Sequence, residues 1–364
     1  MGVGGSASSA AGDVVSTQPA TFTMDPLLHT PMPGVKATKV VYRSTNARGE
    51  ANTVSGTVLV PAAPWLGKRP VVGYAVGTHG LGDAFAPSQE MSNGTETEAS
   101  MVSGLLGRGW AVAVTDYEGL GTPGQHTYMV GPAMGHAVLD VLRAATRLPG
   151  GSLAADAPMA VWGYSQGGAA AAWAAQLHPS YAPELPLVGV AAGGVPADVL
   201  AVARHLDGGA FFGLAVAALI GLDAAHPELD LNGYLNDVGR QLLQDNKDDS
   251  LIGLVTGFAL KNLADITTTN PLEAADWQDR FAHSRLGATA PSVPVLLYHG
   301  ELDEIIPYGL GTALRDRYCA HGVPVQWQSF PATDHITGVL LAAAPATDWL
   351  ATRFHGRPPL TTCP

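Results

Sequence analysis

Residues 159–168 read Met-Ala-Val-Trp-Gly-Tyr-Ser-Gln-Gly-Gly, and they carry the clearest indication of the fold in the chain. This stretch starts as an apolar run that predicts a buried strand, passes through a Gly-x-Ser-x-Gly pentapeptide, and continues into an alanine-rich helix that reaches His178. A strand, a sharp turn and a helix are the context in which this pentapeptide exposes a serine nucleophile. We therefore predict Ser165 as the nucleophile, with the Gln166 N–H turned toward an oxyanion. An ordinary glycine-rich turn is the alternative.

Short strand-like runs recur on both sides of this stretch. They cover residues 39–43, 53–60, 70–76, 110–115, 187–191, 293–298 and 325–330. The first two flank a segment with Asn46 and Gly49, which predicts a hairpin. Because buried runs elsewhere alternate with helical stretches, we expect an α/β fold with a mostly parallel sheet flanked by helices.

The segment 195–288 interrupts this alternation, because it is helical in character and shows no convincing strand. We predict a helical cap, or lid, inserted into a core made of residues 25–194 and 289–364, after a flexible N-terminal segment 1–24. The apolar residues from Phe211 to Leu222 predict an apolar lip on that cap, although they could simply face the core.

The acid and the base should follow the serine in that order along the chain. Asp303 lies in a loop directly after the run 293–298, at the sheet edge where sites of α/β proteins lie. His335 follows the run 325–330 through a short loop. Asp334 beside it is expected to be a helix N-cap. The alternative acids are Glu301 and Glu304. The alternative bases are His299, His321 and His355.

These residues predict an α/β-hydrolase that cleaves esters through an acyl-enzyme. His335 would remove the Ser165 proton, and Asp303 would hold the imidazole tautomer and stabilise the imidazolium. A second oxyanion donor should come from the glycine-rich loop after residues 70–76, and the candidates there are Gly80, Leu81 and Asp83.

Composition excludes several other classes of protein. The net charge is −12 and lysine and arginine form no cluster, so a nucleic-acid partner is not expected. The chain contains no run of 18 or more apolar residues, so we expect no membrane span. The histidines show no zinc motif and the glycine-rich stretches lack a phosphate-binding lysine, so we expect no metal or cofactor.

The two cysteines, Cys319 and Cys363, favour a secreted protein. A disulfide between them would tie down the C-terminal tail, whereas two buried thiols are the alternative. The first twenty residues contain neither the basic region nor the apolar region of a signal peptide, which fits a cytosolic protein or one whose signal has been removed. Because the cysteine pair favours an oxidising environment, we expect a secreted protein whose signal has been removed.

The chain resembles the secretory lipases of the lipase A type. The resemblance covers most of the chain from about residue 25 and is carried by residues 78–83 with 86–88, 116–121, 131–143 and 163–168, and by the Asp303 loop and His335. It implies a secreted enzyme with this triad, a cap that shapes the acyl site, and Glu118 near the site. Phe85 stands where the family often has a cysteine.

Several activities are compatible with these residues. The first is hydrolysis of carboxylic esters, from lipids to small alkyl or aryl esters, with transient contact to a lipid interface. The second is acyl transfer to an alcohol from the same acyl-enzyme. A non-catalytic binding protein would be expected to have lost Ser165, Asp303 or His335. A serine peptidase on the same fold is a further alternative, although nothing in the chain predicts an anchor for a peptide tail.

Overall fold

A computed structural model of the protein describes residues 10–363, and in this range the chain forms one nine-stranded sheet. The strands are β1 (Val14–Ala20), β2 (Val35–Thr45), β3 (Ala51–Pro61), β4 (Val71–Ala75), β5 (Ala111–Thr115), β6 (Met159–Tyr164), β7 (Leu187–Gly193), β8 (Val295–Gly300) and β9 (Val325–Phe330). Their order across the sheet is β1-β2-β3-β5-β4-β6-β7-β8-β9.

The sheet is mostly parallel, as the sequence predicts. The strands from β5 across to β9 pair in parallel, whereas β1, β2 and β3 pair antiparallel at one edge. Strands β4 to β6 and β8 are completely buried, since helices cover the parallel part of the sheet. The carboxyl ends of β4, β6, β8 and β9 therefore meet at one edge.

Thirteen α-helices lie in the described range. The first four are α1 (Pro87–Asn93), α2 (Ala99–Gly107), α3 (Gly131–Thr146) and α4 (Gln166–Tyr181). Between β7 and β8 lie α5 (Val199–Leu206), α6 (Phe212–Ala225), α7 (Leu231–Tyr234), α8 (Asp237–Asn246), α9 (Leu251–Phe258), α10 (Leu263–Ile266) and α11 (Ala275–His283). The last two are α12 (Tyr308–Ala320) and α13 (His335–Phe354). Short 3₁₀ helices cover Asp83–Phe85, Pro227–Leu229 and Pro271–Glu273.

The predicted hairpin is confirmed and longer than expected, because β2 and β3 pair from Val35 with Pro61 to Thr45 with Ala51. At its turn, Asn46 Oδ1 accepts the N–H groups of Arg48 and Glu50. An asparagine that bonds its own turn in this way is the signal that marked the loop in the sequence.

The flexible segment predicted over residues 1–24 is wrong for residues 14–20. These residues form β1, which pairs antiparallel with β2 at the sheet edge. Most side chains of β1 are exposed. Since the strand is held by main-chain bonds and carries no apolar stripe, periodicity could not reveal it. Residues 1–9 of the same segment lie outside the described residues.

The disulfide is present between Cys319, at the end of α12, and Cys363. The two Cα atoms lie 5.5 Å apart, and the bridge closes a 44-residue loop that contains β9 and α13. The C-terminal segment also bonds to β9, because the Thr362 N–H donates to Val325 O. The bridge therefore fastens the last strand and helix to the rest of the sheet.

Replacing both cysteines by serine is expected to lower the free energy of unfolding by about 4 kcal/mol, the loop-entropy value for this spacing. Urea unfolding of the double variant beside the wild type measures the difference. The wild type in reducing agent should match the double variant. A difference below about 1 kcal/mol would show that the bridge closes a loop already ordered in the unfolded chain.

No single helix within residues 10–363 is long and apolar enough to cross a membrane. A bent pair, Phe212–Ala225 with Pro227–Tyr234, meets the length and composition criterion only when the two helices are taken together, and they meet at 111°.

Candidate active site

Ser165 lies at the turn between β6 and α4, in a strained backbone conformation. Its φ is 59° and its ψ is −121°, values that residues other than glycine rarely adopt. The flanking glycines make the turn possible, because a Cβ on Gly163 would overlap Gly167 O and a Cβ on Gly167 would overlap Ala75 O. The turn places the Ser165 hydroxyl above the carboxyl edge of the sheet, at the N-terminus of α4.

The structure brings together the three residues predicted as a triad. The His335 Nε2 lies 2.9 Å from the Ser165 Oγ, and the His335 Nδ1 lies 2.7 Å from Asp303 Oδ2. Asp303 follows β8, and His335 begins α13 just after β9. Three strand ends that are far apart in the chain thus supply a hydrogen-bonded serine, imidazole and carboxylate.

The Asp303 carboxyl is buried and strongly held as a carboxylate. Burial alone would raise its pKa, but hydrogen bonds from His299 and His335 and from the Ile306 N–H lower the pKa well below its usual range. The His299 Nε2 lies 3.1 Å from Asp303 Oδ2. The structure therefore places His299, a rival base in the sequence, against the acid and not against Ser165.

The backbone of His335 is held at its N–H and at its carbonyl, and the helix that it begins is capped by its neighbour. Its N–H donates to Glu304 Oε2 at 3.0 Å, and its carbonyl accepts the Tyr164 hydroxyl at 2.8 Å. Asp334 caps α13 by accepting the Thr337 N–H, as predicted. Glu304, a rival acid in the sequence, thus supports the histidine backbone. Glu301 is exposed.

The structure does not bring Gly80, Leu81 or Asp83 to Ser165, since none of them lines the cavities that Ser165 reaches. The Leu81 N–H donates to Asp249 O at 2.8 Å, and Asp83 Oδ1 accepts the Gly121 N–H. Gly80 packs against Ser250. The prediction that Gly80, Leu81 or Asp83 supplies the second oxyanion donor is therefore corrected. By residue 80 the loop after β4 has turned toward the start of α9.

Gly77 and Thr78 are the residues of this loop that line the cavity at Ser165. The Gly77 N–H donates to Glu98 Oε1 at 2.6 Å, and Gly77 O lies 2.8 Å from the His79 Nδ1. The Thr78 N–H has no hydrogen-bond partner among residues 10–363. Sequence reasoning missed Glu98, because the segment before α2 carries no motif.

Glu98 belongs to a buried group of side chains around His79. The His79 Nε2 lies 2.7 Å from Glu96 Oε2 and 3.3 Å from Glu90 Oε2. These three residues form the one set with metal-ligand donors close together within residues 10–363. Burial raises the pKa of Glu98 to about 7, and the nearby Glu96 adds to this rise.

Gln166 is held by a buried histidine. The Gln166 Nε2 lies 3.3 Å from the His126 Nε2, while the His126 Nδ1 donates to Glu118 O. Burial lowers the pKa of His126 to about 4, so the ring is neutral and its Nε2 accepts. Glu118 is expected near the site, but it does not line the cavity at Ser165. Its carboxylate accepts hydrogen bonds from Asn52 and Thr127, so it supports the loop that carries His126.

Ser165 opens into a large apolar cavity of about 430 Å³. Its apolar wall includes Met101, Phe211, Leu214, Leu251, Ile252, Val255, Ile305, Ile336, Val339 and Leu340. A second cavity at Ser165 holds only about 30 Å³, close to the volume of one water molecule. A bulky apolar group therefore has room in the first cavity only.

The helices between β7 and β8 supply half of that wall. Phe211 and Leu214 come from the start of α6, and Leu251, Ile252 and Val255 come from α9. Most other apolar residues of α6 are buried away from solvent, so the predicted apolar lip is limited to Phe211 and Leu214.

A family model described as secretory lipase matches residues 86–362, which include all three residues of the hydrogen-bonded set. The chain belongs to the secretory lipase family. It is accordingly a carboxylic-ester hydrolase of the lipase or esterase type, with an α/β-hydrolase fold.

Two relatives in this secretory lipase family illustrate its range. The chain is 32% identical over 342 residues to a protein of Mycobacterium tuberculosis named a probable inactive lipase, covering 89% of this chain and 75% of the relative. It is 29% identical over 349 residues to a secreted triacylglycerol lipase of Malassezia globosa, covering 91% of this chain and 73% of the relative.

Solved structures show the same architecture. The closed state of Candida antarctica lipase A superposes with a TM-score of 0.87 at 26% identity, covering 98% of this chain and 86% of the lipase. A rice cell wall degrading esterase, LipA of Xanthomonas oryzae, superposes with a TM-score of 0.75 at 20% identity, covering 95% of this chain and 98% of the esterase. This second likeness concerns the fold alone.

Proposed function

We propose that this member of the secretory lipase family hydrolyses acyl esters through an acyl-enzyme on Ser165, with His335 as base and Asp303 as the acid that orients it. The unbroken hydrogen-bonded series from Ser165 through His335 to Asp303 carries the proposal. Because Asp303 accepts from Nδ1, the His335 Nε2 is left as the acceptor of the Ser165 proton. The low pKa of Asp303 keeps it charged opposite the imidazolium that forms.

The reaction then runs in two halves. The Ser165 Oγ attacks the ester carbonyl while its proton passes to the His335 Nε2, and His335 returns that proton to the departing alcohol. A water molecule, deprotonated by His335, attacks the acyl-enzyme and releases the acid and free Ser165. In both halves negative charge develops on the former carbonyl oxygen.

Two backbone N–H groups would stabilise that oxyanion. Gln166 supplies one, since it begins α4 and its N–H has no intrahelical acceptor. Thr78 supplies the other, because it lines the cavity at Ser165 and its N–H has no partner within residues 10–363. Each donor of this kind is worth about 3–4 kcal/mol of transition-state stabilisation.

We propose that the helices α5 to α11 form the cap over this site and that the large cavity receives the apolar part of the ester. Its lining is mostly apolar, and its polar members include Thr78, Glu98 and Ser165. Secretion is part of the proposal. The disulfide, the secretory lipase family and a relative described as a secreted lipase support it.

A covalent trap tests the mechanism. A p-nitrophenyl alkylphosphonate should release one equivalent of p-nitrophenolate, abolish ester hydrolysis and leave its phosphonyl mass on the peptide that contains Ser165. Label on another residue, or full activity after labelling, would contradict the acyl-enzyme on Ser165. Hydrolysis of p-nitrophenyl esters from acetyl to palmitoyl by the wild type gives the acyl-length preference.

The mouth of the cavity is apolar, and we propose that it rests on a lipid–water interface. Ile252, Ile336 and Leu340 line the cavity and are also 74%, 64% and 60% exposed. Exposed residues that continue an apolar cavity are costly in water and gain about 1.5–3 kcal/mol each when buried. They lie on α9 and α13, at the same edge as Ser165.

Replacing Ile252 and Leu340 together by aspartate is expected to lower the ratio of activity on emulsified tributyrin to activity on dissolved p-nitrophenyl acetate by about tenfold or more. The matched control is Leu66→Asp, which is fully exposed in the loop before β4, at the opposite edge of the sheet. An unchanged ratio in the double variant, or flat wild-type activity across the solubility limit of an ester, would contradict contact with an interface.

A further inference from the structure

The two peptide units between Val76 and Thr78, just after β4, are held by surrounding side chains at three of their four polar groups. In the Val76–Gly77 unit, Val76 O accepts the Tyr117 hydroxyl at 2.8 Å and the Gly77 N–H donates to Glu98 Oε1 at 2.6 Å. In the next unit, Gly77 O lies 2.8 Å from the His79 Nδ1. Of the four polar groups in these units, the Thr78 N–H alone lacks a partner within residues 10–363.

The His79 ring is buried and must donate from Nδ1, because a carbonyl oxygen can only accept. Its Nε2 faces Glu96 at 2.7 Å and Glu90 at 3.3 Å. Burial alone would lower the pKa of His79, but the carboxylates of Glu96, Glu90 and Glu98 outweigh burial and raise it. His126 is the other titratable ring in this field, and it is neutral. His79 therefore stays an imidazolium with a donor on each nitrogen.

A trans peptide directs its N–H away from its C=O, and the described chain has no cis peptide bond. Since His79 holds the Gly77 carbonyl on the side of the buried carboxylates, the Thr78 N–H of the same unit points the opposite way, and Thr78 lines the cavity at Ser165. An imidazolium that donates to the carbonyl also polarises the peptide and strengthens its N–H as a donor.

We propose that Glu96 and His79 are positioning residues that aim the Thr78 N–H at the developing oxyanion. The enzyme thus has a second carboxylate–histidine pair, which acts on the oxyanion donor as Asp303 and His335 act on the nucleophile. This inference rests on the proposed function of Ser165 and Thr78. It gives a catalytic reason for a buried charge cluster that touches no part of the triad.

The same cluster could be imagined as a metal site, and the geometry favours the hydrogen-bonded pair. Two ligands of one tetrahedral zinc ion lie about 3.3 Å apart, given metal–ligand distances of about 2.0–2.1 Å. The His79 Nε2 and Glu96 Oε2 lie closer than this, at 2.7 Å, which is a charge-assisted hydrogen bond. Glu96 also accepts the Glu98 N–H through Oε1, so both of its oxygens are engaged.

Two substitutions of His79 separate its two nitrogens. His79→Asn places an amide N–H where Nδ1 was and can still donate to Gly77 O, but it cannot reach Glu96. His79→Gln reaches Glu96 but leaves Gly77 O without its donor. We expect kcat for p-nitrophenyl butyrate to fall about 100-fold in His79→Gln, as for loss of one oxyanion donor, and less than tenfold in His79→Asn. KM should stay within about twofold in both variants.

Further measurements separate positioning from a general loss of structure. His178→Gln is the control, because His178 is also buried with both nitrogens bonded, about 20 Å from Ser165 along α4. It should keep the wild-type kcat. In Glu96→Gln the amide oxygen can still accept the Glu98 N–H, but the amide NH2 can bond the His79 Nε2 only if the ring is neutral and that nitrogen accepts. The variant thus removes the positive charge of His79 while Nδ1 still donates to Gly77 O, and it should lower kcat three- to tenfold even if His79→Gln does not fold. Rates of phosphonylation at Ser165 should fall in parallel with kcat.

The outcomes distinguish this inference from the proposed function. Equal kcat in His79→Asn and His79→Gln, or wild-type kcat in both His79→Gln and Glu96→Gln, overturns it. Loss of wild-type activity in chelator that zinc restores also overturns it, since the cluster would then hold a metal. If any of these results is found while the phosphonate still labels Ser165 in the wild type, the inference has failed and the proposed function stands. If Ser165 is not labelled, the proposed function has failed.

Discussion

Ser165→Ala is expected to lower kcat for p-nitrophenyl esters by about 10⁶-fold, the loss seen when the nucleophile of a serine hydrolase is removed. The Ser165 Oγ bonds the His335 Nε2, and no other hydroxyl of the described residues bonds that nitrogen. The Tyr164 hydroxyl in the same cavity donates to the His335 carbonyl instead. In this variant no group is left to form the acyl-enzyme. Any remaining acceleration over the reaction in water would come from the oxyanion donors and from binding of the ester.

The measurement is hydrolysis of the acetyl-to-palmitoyl series by the wild type and by the variant, side by side. Ser180→Ala is a matched control, because Ser180 lies exposed on the same helix, far from the cavity, and should keep the wild-type rate. Full activity of Ser165→Ala would show that another residue is the nucleophile. A wild type that cleaves none of the esters would show that its substrate is not a simple ester.

Asp303→Asn is expected to lower kcat by about 10⁴-fold with the fold intact. An asparagine amide can present an N–H to the His335 Nδ1, which would then have to accept, and the proton would move to Nε2. The Nε2 faces Ser165 at 2.9 Å and must be unprotonated to act as a base. The loss therefore comes from the wrong tautomer, and KM should change little.

Glu301→Gln is the control for Asp303→Asn, since Glu301 is a nearby exposed loop carboxylate that should leave kcat unchanged. If Glu304→Gln lost far more activity than Asp303→Asn, the acid would be Glu304, which the structure places on the His335 N–H. A loss below tenfold in Asp303→Asn would contradict the triad as proposed.

Asp303→Asn should also change how stability depends on pH. Because the pKa of Asp303 is lower in the folded protein than in the unfolded chain, its carboxylate stabilises the fold above the unfolded value. This contribution begins to be lost as the pH falls below about 4, the unfolded value, and falls further toward the lower pKa of the folded protein, so part of it is gone at pH 3. Urea unfolding at pH 7 and pH 3 should therefore show a smaller acid-induced loss in the variant than in the wild type.

Much of this architecture could be predicted from the sequence, because its signals are local. The pentapeptide around Ser165 requires glycines at fixed positions, and the clash of any Cβ there leaves little choice of residue. The buried parallel strands appear as apolar runs, and Asp303 and His335 follow two of them. Parallel strands end at one edge, so three such positions converge without further information.

Other features could not be predicted, because their cause lies in residues distant along the chain. Strand β1 is mostly exposed and is held chiefly by main-chain pairing with β2, so its composition carries no signal. The loop after β4 offered several glycines as oxyanion candidates. Only its contacts with Asp249 and Ser250, far ahead in the chain, show that residues 80 and 81 turn away from Ser165.

Local sequence signals were enough to predict the strand–turn–helix at Ser165, the positions of Asp303 and His335 after two strands, and the mostly parallel sheet, since sterics and periodicity act between neighbours. The packed fold alone shows that the Thr78 N–H lacks a partner within residues 10–363, how large the cavity at Ser165 is, and that Glu96 and His79 meet in the interior. Those outcomes depend on packing between elements that approach only after the sheet has formed. The cost of burying unpaired charge then forces each carboxylate near His79 to find a partner there.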